Sequence, residues 1–232
     1  MAIVKMNDSV NIGLLIYPEV IQLDVMAVYQ VLSFPPNSQI HLLWKNLTPI
    51  ISNEGLIITP TTTFKDCPQL DVICVPGGGM RQVEVMKDRE ILDFLQQKSQ
   101  TAKYVTSVCT GSMILAAANL LQGYKATCHW AFKEQLAMLG VEVVADRVVI
   151  DRNRITGAGV TSGIDFGLTL VSLIWGESMA KMTQLMMEYE PQPPFNSGNP
   201  LTAEKKVVKS LLKFGKPLID AFLTQTKKII ES

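Results

Sequence analysis

Short unbroken apolar runs alternate with longer stretches of helical period along most of this chain. VNIGLLIY at 10–17 is almost wholly apolar and stops at Pro18, which predicts a strand buried on both faces. QLDVMAVYQVLSF at 22–34 predicts a helix closed by Pro35-Pro36. IHLLWKN predicts a second strand, and ISNEGLIITP a hairpin turning at Asn53-Glu54-Gly55. DVICV at 71–75 predicts another buried strand, running straight into Pro76-Gly77-Gly78-Gly79. A helix over 88–100, a strand over 104–108 and a helix beyond Cys109 follow. VEVVADRVVIDRNRITGAG reads as hairpin material turning at Asp151-Arg152-Asn153, 160–175 as a long buried helix, and 177–189 as a Met-rich helix.

Buried strands alternating with helices imply parallel βαβ units. The expectation is an α/β fold, a mostly parallel sheet with helices on both faces, whose site lies at the carboxyl ends of the strands. Three segments can meet there: the end of the first strand with Asp24 just beyond, the glycines after DVICV, and Cys109. EPQPPFNSGNP reads as coil. The division expected is a main domain over 1–200 and a helical appendage over 201–232, interrupted near Gly215 and Pro217.

Of the 232 residues, 47% are hydrophobic and 18% charged, enough for a large core and too apolar for disorder. Lys+Arg and Asp+Glu are both 21, so no basic excess points to nucleic acid or to an anionic membrane. No apolar run reaches the ~18 residues of a membrane span. Cys67, Cys74, Cys109 and Cys128 have no metal-type spacing. The opening MAIVKMNDSV lacks the apolar core of a signal peptide, so the thiols are expected to be reduced and the chain cytoplasmic.

The candidate chemistry centres on YVTSVCTGS at 104–112, a strand that runs into Cys109, Thr110 and Gly111 and then a helix. That is the layout of a nucleophile elbow, with a helix N-terminus that favours thiolate and amides that bind developing negative charge. A packed core cysteine fits the same letters. PGGG completes neither GxGxxG nor a Walker motif, and by itself reads as a tight strand-to-helix turn. Asp24, an acid among apolar neighbours, reads as an N-cap or first-turn carboxylate. His41 and His129 read as structural, Cys74 as packed within its strand, and Met179, Met182, Met186 and Met187 as core or dimer surface.

In combination, YPEVIQLD, FKDCPQLDVICVPGG, YVTSVCTGS, GYKATCHW, ITGAGVTSGIDFGLTL and EYEPQPPFNSGNP resemble the ThiJ/PfpI superfamily, relatives of the class I glutamine amidotransferases. Within it they are most similar to the isonitrile hydratases. The resemblance implies a flavodoxin-like sandwich with a cysteine elbow. It implies catalytic roles for Cys109, Asp24 and Thr110, and oxyanion or substrate contacts at Gly78, Gly79 and Thr110. It further implies an isonitrile substrate, no metal or organic cofactor, and a homodimer. Thr110 stands where peptidase-like members carry His, and 201–232 is shorter than the DNA-binding module of about 100 residues that AraC-type regulators add. The rival expectation is a non-catalytic binding or stress-response domain. PGGGMRQ and ATCHW depart from the PGGTG-like and ATTHW segments of the family; both bear on pocket shape and leave the elbow intact.

Overall fold

The computed structural model describes residues 9–231; most of the opening segment behind the export reading lies outside them. In chain order the elements begin with β1 (Val10–Leu15), α1 (Gln22–Leu32), β2 (Ser38–Trp44), β3 (Ile50–Ile51), β4 (Ile57–Ile58) and β5 (Thr62–Thr63). Next come β6 (Val72–Val75), α2 (Gln82–Val85), α3 (Arg89–Ser99), β7 (Tyr104–Val108), α4 (Gly111–Ala117) and β8 (Lys125–Ala126). A 3₁₀ turn at Trp130–Phe132 leads into α5 (Lys133–Met138), β9 (Glu142–Val143), β10 (Val148–Asp151) and β11 (Arg154–Gly157). The chain ends in α6 (Ser162–Trp175), α7 (Glu177–Met186), α8 (Lys205–Phe214) and α9 (Lys216–Glu231).

Seven strands form one sheet in the order β10-β11-β7-β6-β1-β2-β5, parallel except where β10 runs against β11. The apolar runs explain its centre: every residue of β6 and β7 is buried, as a parallel sheet covered on both faces requires. Helices cover both faces, with α1, α6 and α7 packed on one another and α3, α4 and α5 forming a second group. β1, β6 and β7 are neighbours, in register through Leu14 with Cys74 and Val75 with Ser107. Their carboxyl ends therefore open onto one edge.

Two features differ from the sequence reading. The segment Glu142–Val143 leaves the expected hairpin and pairs in parallel with β8, while Val148–Asp151 and Arg154–Gly157 make the hairpin alone. The short helices α2 and α5, of 4 and 6 residues, passed unread because one turn of helix carries no period to detect. At the end of the chain α9 buries Phe222 against Phe132, ring centroids 4.9 Å apart, whereas α8 buries no residue. Among the described residues no helix is long and apolar enough to cross a membrane.

Candidate active site

Cys109 follows β7 directly and takes φ 60°, the left-handed region that a side chain enters at a cost of about 1–3 kcal/mol. Its N–H is shared between the carbonyls of Gly157 and Ala158 at the end of β11, at 3.1 and 2.8 Å, which holds the strained turn in place. Gly111 opens α4 where a Cβ would overlap the Val75 carbonyl, so the helix start lies directly on the end of β6. Strand, strained cysteine and close-packed glycine together make the elbow.

Asp24 sits in the first turn of α1, but it does not cap that helix. The N-cap position is Ile21, and the Asp24 carboxylate instead accepts the N–H of Gly77 at 2.9 Å, across 53 residues of chain. Only 1% of Asp24 is exposed. Its second oxygen, Oδ1, has no hydrogen-bond partner among the described residues, and the Cys109 side chain is near enough to act on the carboxyl. Burial pushes the Asp24 pKa up to about 7, while the Gly77 N–H and the Cys109 side chain pull it down. Gly77 permits the approach: a Cβ there would stand 2.6 Å from Thr110 Oγ1 and 2.9 Å from Asp24 Oδ2.

The Cys109 thiol is held well above its ordinary range, first by burial and then by the charge of Asp24; the Thr110 N–H and, most weakly of all, the Thr110 hydroxyl pull the other way, and Cys128 adds a small push upward. The expectation that the helix N-terminus would favour thiolate is thus corrected. α4 has only 7 residues, and its dipole is outweighed by desolvation and by the facing carboxylate.

The glycine turn also differs from its sequence reading. Gly78 donates its N–H to Gln82 Oε1 at 2.7 Å and contacts Thr110 Oγ1 at 3.3 Å, and Gly79 donates to the Glu19 carbonyl at 2.8 Å. Of the amides expected to serve an oxyanion or the substrate, those of Gly78 and Gly79 are engaged within the protein, while the Thr110 N–H acts on the Cys109 sulfur. What the turn supplies is close approach: it brings Gly77, Asp24 and Thr110 together.

Gln82 and Tyr17 belong to this site and were missed. Gln82 is fully buried; its Nε2 donates to the Thr110 carbonyl at 2.6 Å, and its Oε1 also receives the Thr110 hydroxyl at 2.7 Å. Tyr17 donates its hydroxyl to the Pro76 carbonyl at 2.9 Å. A glutamine reads as a surface residue by default. The departure PGGGMRQ was the place to look, because it ends on Gln82.

The remaining candidates lie elsewhere. His41 contacts Thr62 Oγ1 at 3.0 Å in β2, and His129 accepts the Ala131 N–H at the 3₁₀ turn. Cys74 and Cys128 are both buried, with thiols pushed up to about 12. On α7, Met182, Leu185 and Met186 are exposed. A cavity of about 610 Å³ lies beyond the glycine turn, between Glu19, Gly79 and Met80 and the α8–α9 junction at Phe214 and Leu218; the Cys109–Asp24 pair does not line it.

The sequence model of the DJ-1/PfpI family matches residues 10–173. Isonitrile hydratase of Pseudomonas putida is 51% identical over 209 residues, which cover 90% of this chain and 91% of that protein. The crystal structure of a ThiJ/PfpI family protein from Pseudomonas syringae superposes with a TM-score of 0.92 at 40% identity, over 94% of this chain and 91% of the other. Drosophila melanogaster DJ-1beta shares the fold, with a TM-score of 0.73 at 18% identity over 79% of this chain and 100% of its own.

Proposed function

This chain belongs to the DJ-1/PfpI family, and on that premise we propose that it is an isonitrile hydratase, adding water to R–N≡C to give the formamide R–NH–CHO. The observation that carries this reading is the likeness, along nearly the whole chain, to the Pseudomonas putida enzyme of that activity. The site supplies a chemistry that fits. The terminal carbon of an isonitrile must receive a nucleophile and a proton, and here a buried thiol shares its surroundings with a carboxyl poised at about 7.

Cys109 sulfur bonds to the terminal carbon while Asp24 delivers a proton to the same carbon and takes up the one the sulfur releases. The S–H bond is lost, C–S and C–H bonds form, and the product is the thioimidate R–N=CH–S–Cys109. Asp24, left protonated by that exchange, gives its proton to the thioimidate nitrogen and, as the carboxylate so formed, takes one from the water that attacks the carbon. A C–O bond forms, the C–S bond breaks, the sulfur regains a proton, and the formamide leaves. Thr110 keeps the acid and the thiol in mutual geometry. Neither step calls for a metal or an organic cofactor. No oxyanion arises in the first step, which suits a turn whose Gly78 and Gly79 amides are already engaged.

In this reading residues 1–200 carry the chemistry, and 201–232 are an appendage fixed to them through Phe222. Four free cysteines suit a reducing compartment such as the cytoplasm. The exposed Met182, Leu185 and Met186 of α7 support burial against a second copy, so the assembly is a homodimer; a monomer in light scattering at micromolar protein removes that part. The activity itself is tested by incubating the purified protein with cyclohexyl isocyanide, without added cofactor, and following the formamide by chromatography. Failure to form product from several alkyl and aryl isonitriles would favour a non-catalytic binding domain.

A further inference from the structure

Gln82 has no task in the chemistry above, yet it is fully buried and both its polar atoms are engaged. Its orientation is fixed by its partners. Turned over, the amide would set its NH₂ against the Gly78 N–H, which only donates, and its oxygen against the Thr110 carbonyl, which only accepts. The Tyr17 hydroxyl reaches Gln82 Oε1 only at 3.3 Å and gives its single hydrogen to Pro76 at 2.9 Å. The 2.7 Å contact between Thr110 Oγ1 and Gln82 Oε1 joins a hydroxyl to an atom that cannot donate, so the hydrogen on it is that of Thr110. A hydroxyl has one hydrogen. With it committed to Gln82, what Thr110 offers its other neighbours is lone pairs.

We propose that Gln82 is a positioning residue: by holding the hydrogen of the Thr110 hydroxyl and the amide of Gly78, it withholds two donors from the Cys109 sulfur and keeps the thiol proton for Asp24 to take up as the C–S bond forms. The role rests on the hydratase reading. Acyl transfer builds an oxyanion and needs free amides; thiol addition to an isonitrile builds none and needs a proton at the carbon being attacked. A glutamine that occupies Gly78 and points the Thr110 hydrogen away from the sulfur serves the second chemistry and obstructs the first.

The groups around the sulfur let this be measured cleanly. Asp24 faces it from α1, Tyr17 from the turn after β1 and Cys128 from the segment after β8, while His129 lies beside Gly159, 2 residues beyond β11. Burial holds Tyr17 and Cys128 neutral through mildly alkaline pH and moves His129 downward, so above pH 8 Asp24 is already ionised and none of them changes charge. The test is the rate of iodoacetamide alkylation at Cys109 against pH, read by mass spectrometry of its peptide, beside kcat and KM for cyclohexyl isocyanide. In Gln82→Met the released hydroxyl and amide turn to the sulfur and favour thiolate, so alkylation at pH 8.5 rises at least about tenfold, the factor one hydrogen bond to an ionised group carries. In the same variant kcat falls with KM little changed. In Gln82→Glu the carboxylate keeps the acceptor for the Gly78 N–H and the Thr110 hydroxyl, loses the donor to the Thr110 carbonyl and adds negative charge near the sulfur, so its alkylation slows. Adding Thr110→Val to Gln82→Met reverses most of the gain. Unchanged alkylation in both single variants, or a gain that fully survives Thr110→Val, overturns the proposal. If Gln82→Met does not fold, the sign of the Gln82→Glu effect decides. A protein that fails to hydrate isonitriles at all shows this in wild-type turnover, and the alkylation result still reads the hydrogen-bond direction by itself.

Discussion

Two strand-to-helix turns meet at the site and are built in opposite ways. The turn after β6 is Pro76 and three glycines, unstrained, with every glycine amide bonded within the protein: Gly77 to Asp24, Gly78 to Gln82, Gly79 to Glu19. The turn after β7 is a cysteine forced to φ 60° and held there by Gly157 and Ala158. One turn spends its backbone groups on holding other residues; the other spends backbone strain on presenting one side chain. The lesson is that a glycine-rich loop at the carboxyl edge of a parallel sheet need not be an anion cradle. Its contribution here is thinness, which lets Asp24 and Thr110 reach the same point.

If this division is right, damage to the second turn is felt in rate and damage to the first mostly in geometry and stability. The largest effect is expected from Cys109→Ala, which lowers formamide production to the uncatalysed background while circular dichroism stays that of a folded protein. Asp24→Asn keeps size and removes the proton relay, so kcat falls by about 100- to 10,000-fold. Gly77→Ala pushes a methyl group against Thr110 and Asp24; a loss of about 1–3 kcal/mol in denaturant unfolding, with reduced kcat, is expected from overpacking of this kind. Cys109→Gly and Cys109→Ala both remove the sulfur, but glycine relieves the backbone, so the glycine variant should be the more stable by about 1–2 kcal/mol. Equal stability of the two would remove strain from the account. The smallest effect on rate belongs to Cys74→Ala, whose thiol is buried within β6 and should alter thermal unfolding more than turnover.

Asp24 also makes a statement about pH. Its folded pKa is raised to about 7 by burial, so between the ordinary carboxylate range and about 7 the folded chain keeps a proton that the unfolded chain has released. Stability from this group is therefore present at low pH and lost as pH rises through that window. Unfolding measured from pH 4 to 8 should show a steeper fall for the wild type than for Asp24→Asn.

The sequence made some parts of this legible for physical reasons. β1, β6 and β7 were readable because strands buried on both faces carry unbroken apolar runs, and the elbow because a strand, Cys-Thr-Gly and a helix leave little else for the turn to be. Asp24 was readable as a first-turn acid but not as a partner of Gly77, since that bond closes 53 residues of chain. Gln82 was not readable: polar side chains become buried hubs only when distant segments supply partners, and while Gly78 is local, Thr110 and Tyr17 lie 28 and 65 residues away. The charge state of Cys109 was the harder part: the helix after it is read from adjacent letters, whereas the burial that acts against a thiolate and the closeness of Asp24 are set by the fold.

The central claim is that Cys109 bonds to the substrate carbon with Asp24 managing the protons. The measurement that tests it most directly is mass spectrometry of the Cys109 peptide from single-turnover reactions with cyclohexyl isocyanide, quenched at millisecond intervals, in wild type and in Asp24→Asn. The account predicts an adduct heavier by the full mass of the isonitrile, on Cys109 and on no other cysteine, and longer-lived in Asp24→Asn because water activation is impaired. Formamide produced at the normal rate with no adduct at any quench time in either protein would contradict it and leave direct attack by water as the chemistry of this site.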